Sequence, residues 1–424
     1  MKSRTIKVFA GMALVGTAAC AGPQEHELAT TVPEAQRMAF LADKPEPTKR
    51  LYERVVLEGE RNVVLNHLRA GVAAMEIGSL DQAGASFDEA IVRIETIYAD
   101  NPAAAQARSK FTKENIKDFK GEPYERAMAF YYSGLVYLME GDFENARARF
   151  RGGQLQDSFA EDQTYAADFA SLAWLEGWAS QCLDQPRAAA EKYAEATSGR
   201  PGLPPPPADA DMLLVAESGT GPTKAGEGEH REKLVFNEGS SDGGATFVLG
   251  DHQVTVSMAE DIYYQAMTRG GREIDGILEG KAAFKDTAQT AGEIGLAGGY
   301  GLTQAANQNM QAASMYGAQP SQFDAIMGLV GVGVSAAGLI SNIVAEATTP
   351  EADIRYWDNL PSQLHLGATR RPDGLGETAV ARFASLSGDR EVTIVNPGRC
   401  SIAWGRSRSA LEVPDSAPGA VASR

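Results

Sequence analysis

The longest region of helical patterning extends from Leu51 to about Ala196, where apolar residues recur at the spacing of amphipathic helices. Within it, small residues and one aromatic residue recur three times with the same successive steps of seven, five, four and three residues. The copies are Gly71, Gly78, Ala83, Phe87 and Ala90; Gly134, Gly141, Ala146, Phe150 and Gly153; and, more weakly, Gly177, Asp184, Ala189, Tyr193 and Ala196. We predict pairs of helices that cross closely at the small residues, with the aromatic side chain filling the gap.

The turns between these helices are marked by GSLDQA (78–83) and GDFENA (141–146), in which a glycine and a polar pair precede a new helix. Each pair exposes an apolar face that a neighbouring pair has to cover, so several pairs must stack. Gly71 and Gly134 are 63 residues apart and Gly134 and Gly177 are 43 apart, whereas regular arrays of this kind repeat about every 34 residues. The predicted array is therefore irregular. The alternative is an unrelated helical bundle with coincidental glycine and alanine spacing.

Outside the repeats, the pattern changes several times along the chain. The predicted regions are a signal peptide (1–19), a lipidated flexible tether (20–50), helical repeats (51–198), a Pro-rich spacer with short strands (199–257), a Gly/Ala-rich helical region (258–350), a small antiparallel β domain (353–408) and a disordered tail (409–424). The predicted strands of the β domain are 363–369, 378–386, 391–395 and 400–405. The predicted fold class is mainly α: irregular helical repeats, a Gly-rich helical middle region and a small antiparallel β domain at the C-terminus.

An uncharged run of seventeen residues, 325–341, lies in the middle region. Its length is at the lower limit for a helix that crosses a bilayer, and its glycines would let helices approach closely. Two other structures fit the same residues. One is a buried helix packed under its neighbours, which we favour, and the other is an irregular glycine-rich loop.

The N-terminal residues have the pattern of a bacterial export signal. Lys2, Arg4 and Lys7 are followed by a short apolar run and then by small residues up to Cys20. We predict a lipoprotein signal, in which Cys20 is acylated and becomes the new N-terminus. The alternative is an ordinary secretory signal cleaved near Ala19.

Composition changes this picture in two respects. The net charge of −17 disfavours nucleic acid as a partner. Against this acidic background, residues 355–408 hold eight arginines and five acidic residues. This basic region predicts contact with an acidic partner or with the acidic part of the same chain, unless it is simply a solvated surface.

With Cys20 lipidated, Cys182 and Cys400 are the remaining cysteines. The periplasm permits a disulfide between them. We favour two free cysteines that pack as small apolar side chains. The sequence holds no CxxC motif or Cys/His cluster that would predict a zinc site.

No motif in the sequence predicts a reaction. The five histidines are not spaced for metal binding, and neither a hydrolase nor a P-loop signature occurs. The GxG in ESGTGP (217–222) lacks the third glycine and the following helix of a phosphate loop. We therefore predict no catalytic residue, no metal and no cofactor.

Four aromatic residues are candidates for partner binding. Trp174 and Trp178 are four residues apart and share a helix face, where they would line a groove or pack in the core. Tyr131 and Tyr132 lie on the first helix of the second repeat, and in stacked helical pairs this helix lines the concave surface. Packing in the core is the alternative for all four, and the one we favour.

Several segments carry a resemblance to known proteins. The repeats resemble tetratricopeptide repeats. Together with the lipidation signal, the segments YERAMAFYYSGLVYLMEGDFENARARF (124–150), LLVAESGTGPTK (213–224), IDGILEGKAAFKD (274–286) and DIRYWDNLPSQLHLG (353–367) resemble an uncharacterised family of bacterial envelope lipoproteins with an N-terminal tetratricopeptide-like region. The resemblance implies a lipoprotein that faces the periplasm, and it implies no known reaction.

These observations predict a non-enzymatic scaffold. It would be anchored through Cys20, in the outer membrane because Ala21 rather than aspartate follows the cysteine, and would bind envelope or periplasmic proteins through its helical repeats. One alternative is an oligomeric envelope component that inserts residues 325–341 into a membrane. An enzyme that acts on cell-wall material is a third possibility.

Overall fold

The computed structural model describes residues 32–99, 118–119, 121–158, 169–228, 231, 233–268, 352–386 and 388–412. The signal peptide, Cys20 and the run 325–341 lie outside these ranges. The described helices are α1 (Glu34–Leu41), α2 (Lys49–Leu57), α3 (Val63–Glu76), α4 (Leu80–Ala99), α5 (Pro123–Glu140), α6 (Phe143–Ser158), α7 (Ala170–Cys182), α8 (Pro186–Gly199) and α9 (Ile262–Met267). Helix α1 thus lies within the predicted tether, and only β6 and α9, given below, are described from the predicted Gly/Ala-rich region.

The helices α3–α4, α5–α6 and α7–α8 form three helical hairpins. In each turn, the second residue of the repeated pattern has a left-handed backbone, with φ of 76° at Gly78, 79° at Gly141 and 61° at Asp184. Glycine adopts this conformation without steric cost, and aspartate tolerates it better than most residues do. The residue that reverses the chain therefore has the same place in all three hairpins.

The predicted contact between a glycine and an aromatic ring is present in each hairpin. A Cβ added at Gly71 would lie 2.8 Å from the ring of Phe87, and one added at Gly177 would lie 2.7 Å from the ring of Tyr193. A Cβ at Gly134 would overlap the ring of Phe150. All three aromatic side chains are buried. The prediction that a small residue on the first helix faces an aromatic residue on the second is confirmed.

The described strands are β1 (Met212–Ser218), β2 (Thr223–Glu227), β3 (Lys233–Asn237), β4 (Ala245–Leu249), β5 (His252–Thr255), β6 (Ser257–Asp261), β7 (Gln363–Thr369), β8 (Thr378–Phe383), β9 (Arg390–Val395) and β10 (Ser401–Arg406). Eight of them form one mixed sheet in the order β5-β4-β8-β9-β10-β1-β7-β6, while β2 and β3 form a separate antiparallel ribbon. In the large sheet, β1 and β10 are parallel and the other neighbours are antiparallel.

The predicted fold class, mainly α with a small antiparallel C-terminal β domain, is wrong. The sheet is large and mixed, and it takes its strands from both 212–261 and 363–406. Strand β1, from the predicted spacer, lies at the centre between β10 and β7 and is buried along its whole length. Local alternation predicts that a segment is a strand, but it does not specify which distant segment pairs with it.

The sheet curls until its two edges meet. Strands β5 and β6 are consecutive in the chain, with only Val256 between them, yet they lie at opposite ends of the strand order. The Val256 amide donates to the carbonyl of Ala245 at 3.1 Å, and its side chain contacts Gly367 on β7. The enclosed face is filled by apolar side chains that include Met212, Leu214, Phe247, Ala381 and Ile394.

The other face of the central strands packs on the helical hairpins. Leu213 and Val215 of β1 and Ile402 and Trp404 of β10 belong to the same apolar cluster as the helices. Both faces of β1 and β10 are therefore covered, which explains why their apolar residues are nearly continuous rather than alternating.

A disulfide joins the three helical hairpins, which we call the helical layer, to the sheet. It links Cys182, the last residue of α7, to Cys400, directly before β10, with 5.8 Å between the Cα atoms. The prediction of free cysteines is wrong. The two residues are 218 positions apart, and they meet because β10 lies next to β1 in the middle of the sheet.

Candidate functional site

The four aromatic residues predicted to contact a partner are buried. Tyr131, Tyr132, Trp174 and Trp178 have at most 1% of their surface exposed. The two tryptophan rings stack with centroids 6.2 Å apart, and the indole of Trp174 donates to the carbonyl of Pro204 at 2.9 Å. The prediction of partner contact at these rings does not fit this burial, because the first helices of the hairpins face the sheet and not the solvent. Cys20, the predicted lipidation site, lies outside the described residues.

The most strongly connected polar group lies where helix α5 packs on the sheet. The side chain of Glu217, on β1, is completely buried. Its carboxylate accepts hydrogen bonds from Tyr131 at 3.1 Å, Tyr132 at 2.8 Å, Trp404 at 2.9 Å and the guanidinium of Arg406. A buried carboxylate needs such donors, because water no longer solvates it. We call these five residues the Glu217 cluster.

The guanidinium of Arg406 makes further hydrogen bonds inside the molecule. It donates to the hydroxyl of Tyr132 at 2.9 Å and to the carbonyl of Asn359 at 2.6 Å. Burial raises the pKa of Tyr131 and of Tyr132 well above its ordinary value. Burial acts to lower the pKa of Arg406, but Tyr132 and Glu217 outweigh it and raise that pKa. The hydroxyls thus stay protonated donors and the guanidinium stays charged, so this arrangement is suited to fixing geometry and not to transferring protons near neutral pH.

Residues 352–362, which we call the strap, cross the inner side of the first helices. Asp358 forms a two-point ion pair with Arg69 of α3, at 2.7 and 2.8 Å. The backbone amide of Trp357 donates to the carboxylate of Glu125 on α5 at 2.9 Å. The concave side of the helical hairpins is therefore occupied by the chain's own strap and sheet. The groove that the repeats were predicted to present to a partner is not open in this structure.

The same helix α5 also holds the β2–β3 ribbon. The ammonium of Lys224 on β2 lies 2.6 Å from the carboxylate of Glu125, and both side chains are buried. Glu125 therefore binds the ribbon and the strap together. Removing one member of such a buried pair leaves the other charge without compensation.

The loops after β1 and β10 form a second polar cluster. Ser407 donates to Asp242 at 2.7 Å and accepts from the amide of Gly219 at 2.8 Å, and Arg408 adds a two-point ion pair to Asp242. Burial acts to raise the pKa of Asp242, but hydrogen bonds from Arg408 and Ser407 lower it overall. Gly219 has φ of 74°, and a Cβ there would collide with the carbonyl of Ser240. The glycine in ESGTGP thus permits a close approach of two loops.

Arginines of the basic region 355–408 form ion pairs with acidic residues from distant segments of the same chain. These pairs include Arg399–Asp184, Arg406–Glu217 and Arg408–Asp242. Of the interpretations considered for this charge asymmetry, contact with the chain's own acidic part agrees with these pairs.

Two histidines are held in the neutral form by their surroundings. Burial lowers the pKa of both His67 and His365 to about 4. Neither ring nitrogen of His365 has a hydrogen-bond partner among the described residues. Within the same described ranges, no group of three or more His, Cys, Asp or Glu side chains is arranged to hold a metal ion.

Sequence reasoning did not single out Glu217, Arg406, Glu125 or Asn359. For the first two a signal was present: each is a lone charged residue near the end of an apolar strand, in LLVAES and in SIAWGR. A charge in a segment that is otherwise buried requires a partner of opposite charge. The identity of that partner depends on which strands become neighbours.

The fold is that of an α+β protein, with three helical hairpins packed on a curled mixed sheet. No protein-family model matches the chain, and no curated protein and no solved structure matches it. Among the helices that the structure describes, none combines the length and the apolar character needed to cross a membrane.

Proposed function

We propose that the protein is a lipid-anchored scaffold of the bacterial envelope. It is held at the outer membrane through Cys20, faces the periplasm and binds envelope proteins without catalysing a reaction. The observation that carries the location is the disulfide between Cys182 and Cys400. Structural disulfides persist in oxidising compartments outside the cytosol. The bridge therefore supports the same location as the export signal at residues 1–19.

The arrangement of the helices supports a specific surface for partner binding. The strap and the sheet cover the first helices of the hairpins, whereas the second helices, α4, α6 and α8, lie on the outside. Two large apolar side chains are exposed there, Val92 on α4 at 58% and Leu155 on α6 at 56%. In this proposal, a protein partner binds the outer helices and not the concave side.

Site-specific photo-crosslinking in cells tests the surface. A photoreactive amino acid at Val92 or at Leu155 should give a discrete crosslinked product that contains one envelope protein. Glu391, exposed on β9, provides the matched control position and should give no such product. Equal products at all three positions, or none at both helix positions, would contradict binding through the outer helices.

Fractionation tests the anchor. The natural chain should sediment with outer membranes, and Cys20→Ala should be released as a periplasmic protein that retains the Cys182–Cys400 bridge. A natural chain found in the cytosol would refute the proposal. A Cys20→Ala protein that resists carbonate extraction would instead favour the membrane-inserting alternative.

A further inference from the structure

The disulfide lies at a junction of three segments. The side-chain amide of Gln181, next to Cys182, donates to the carbonyl of Ala210 at 2.8 Å. Two residues later, Met212 pairs with Ser401, next to Cys400, in the parallel register of β1 and β10. The end of α7 is thus attached to the chain entering β1, and β1 in turn positions the chain entering β10.

This arrangement determines when the two sulfur atoms meet. Cys400 lies beside Cys182 once β10 has paired with β1, because this pairing and the neighbouring contacts place residues 399–401 against the helical layer. Those neighbouring contacts are the amide of Ser401 donating to the carbonyl of Asp211 at 2.8 Å and the ion pair Arg399–Asp184 at 2.9 Å. In an unfolded chain, a separation of 218 residues makes the encounter rare.

Folding brings the two sulfur atoms together, but it also makes them less accessible to solvent. In the folded protein each cysteine has only 4% of its surface exposed. An external oxidant therefore reaches a thiol more easily before the helical layer and the sheet have closed over it. Reaction with an oxidant therefore needs an accessible thiol, whereas closure of the bridge needs β10 to be paired with β1.

We infer that this chain is a substrate of a disulfide-donating oxidant of the envelope, and that the bridge is closed in two steps separated by the docking of β10. The inference rests on the export part of the proposed function. In the first step, the thiolate of one cysteine attacks a disulfide of the donor, forming a mixed disulfide and releasing one donor thiolate. In the second, the thiolate of the other cysteine attacks the protein sulfur of the mixed disulfide and releases the second donor thiolate.

The two cysteine thiols lose two protons to solvent and two electrons to the donor. The two donor thiolates that are released take up two protons from solvent and leave as a dithiol or as two thiols. If the sulfur of Cys20 carries lipid, Cys182 and Cys400 are the two thiols left in the mature chain, and only one intramolecular pairing exists. A donor of disulfides then suffices, and no isomerisation step is needed.

A refolding experiment tests the dependence on docking. The full-length protein is reduced in denaturant and given glutathione disulfide, then either diluted into native buffer or kept in denaturant, and the Cys182–Cys400 peptide is quantified after alkylation. Closure from the mixed disulfide should be faster in native buffer by about tenfold or more, because folding raises the effective concentration of one thiol near the other. Equal rates in the two conditions would overturn the inference.

A matched pair of variants sharpens the test. Gln181→Ala removes the attachment of α7 to the segment before β1 and should slow closure in native buffer severalfold. Gln253→Ala, at an exposed position on β5, should leave the rate unchanged. Equal slowing in both variants would indicate a general loss of stability and contradict the role of this junction.

Thiol trapping in cells separates this inference from the proposed function. In cells with envelope oxidant activity both cysteines should resist alkylation, and in cells without it both should react. A protein that is exported but keeps two free thiols, or that is bridged equally without the oxidant, refutes the two-step inference and leaves export intact. A protein that remains in the cytosol refutes the proposed function itself.

Discussion

At the scale of single residues, the molecule depends on charges placed where no water reaches them. Glu217 and Arg406 lie in neighbouring parallel strands, and helix α5 supplies two tyrosine hydroxyls to complete the shell of donors. Such a cluster adds little net stability compared with apolar packing, but it is costly to leave incomplete. It therefore selects one register between helix and sheet.

The first prediction concerns this pair. Arg406→Met leaves the Glu217 carboxylate buried with fewer donors and should lower the free energy of unfolding by about 3–5 kcal/mol. The double variant Glu217→Gln/Arg406→Met should lose less than the single variant, because no uncompensated charge remains. Urea denaturation followed by circular dichroism gives both values. Arg382→Met, in an exposed pair with Asp389, should leave the midpoint unchanged, and an equal loss there would argue against the buried cluster.

The second prediction concerns pH. The pKa of His365 is lowered by burial from 6.5 to about 4, so the folded protein binds this proton less readily than the unfolded chain does. Neutral, buried His365 costs the folded protein nothing above pH 6.5. As the pH falls towards 4, the unfolded chain gains a proton at His365 that the folded protein does not bind, so the folded protein loses stability. Between pH 7.5 and pH 5, this difference in proton binding should reduce the free energy of unfolding by about 2 kcal/mol.

His365→Phe should flatten this dependence when urea midpoints are measured across the pH range. Part of the slope will remain, because burial lowers the pKa of His67 to about 4 as well. His252→Phe, at an exposed position on β5, is the control and should keep the slope of the natural chain. A His365→Phe protein with an unchanged slope would show that this imidazole is protonated without cost.

At the scale of elements, the three helical hairpins share a repeated local sequence pattern. A residue that accepts a left-handed backbone reverses the chain, and a glycine on the first helix faces an aromatic ring on the second. Both requirements fall within about twenty residues, so they leave a periodic trace in the sequence. The pairing of the strands leaves no such pattern in the sequence, because β1 pairs with β10 and β7, which lie more than 140 residues further along the chain.

The third prediction tests the contact between a glycine and an aromatic ring within a hairpin. Gly134→Ala places a methyl group against the ring of Phe150 and should destabilise the protein by about 1–3 kcal/mol, because a packed core does not accept extra volume without strain. Gly84→Ala on α4 is the matched control: its Cβ would lie 3.6 Å from Val136, an ordinary contact. That variant should be neutral or more stable by up to about 1 kcal/mol through helix propensity. Thermal unfolding compares the two, and equal effects would refute the close approach at Gly134.

At the scale of the whole molecule, the helical layer and the sheet are one unit. The strap, the Glu217 cluster and the disulfide all join residues from the two halves of the described chain. Segments 212–261 and 363–406 complete the same sheet, so neither is expected to fold without the other.

The fourth prediction tests the covalent link between the layers. Replacing both Cys182 and Cys400 by alanine should lower the free energy of unfolding by about 2–4 kcal/mol, because the unfolded chain regains the entropy of an open loop. Reduction of the natural protein should give a similar shift in urea. The double alanine variant should not respond to the reductant, and a natural protein that is equally insensitive would contradict a structural bridge.

The sequence by itself determined the hairpins, their turns, the glycine–aromatic contacts and the positions of several strands near the C-terminus, because each of these depends on neighbours within a few turns of chain. It also contained the lone charges of Glu217 and Arg406, without their partners. Only the tertiary structure decided the mixed sheet, the disulfide and the hydrogen-bond partners of Tyr131 and Trp174. These features depend on which distant segments become adjacent. Packing of the whole molecule determines that adjacency, and local periodicity carries no information about it.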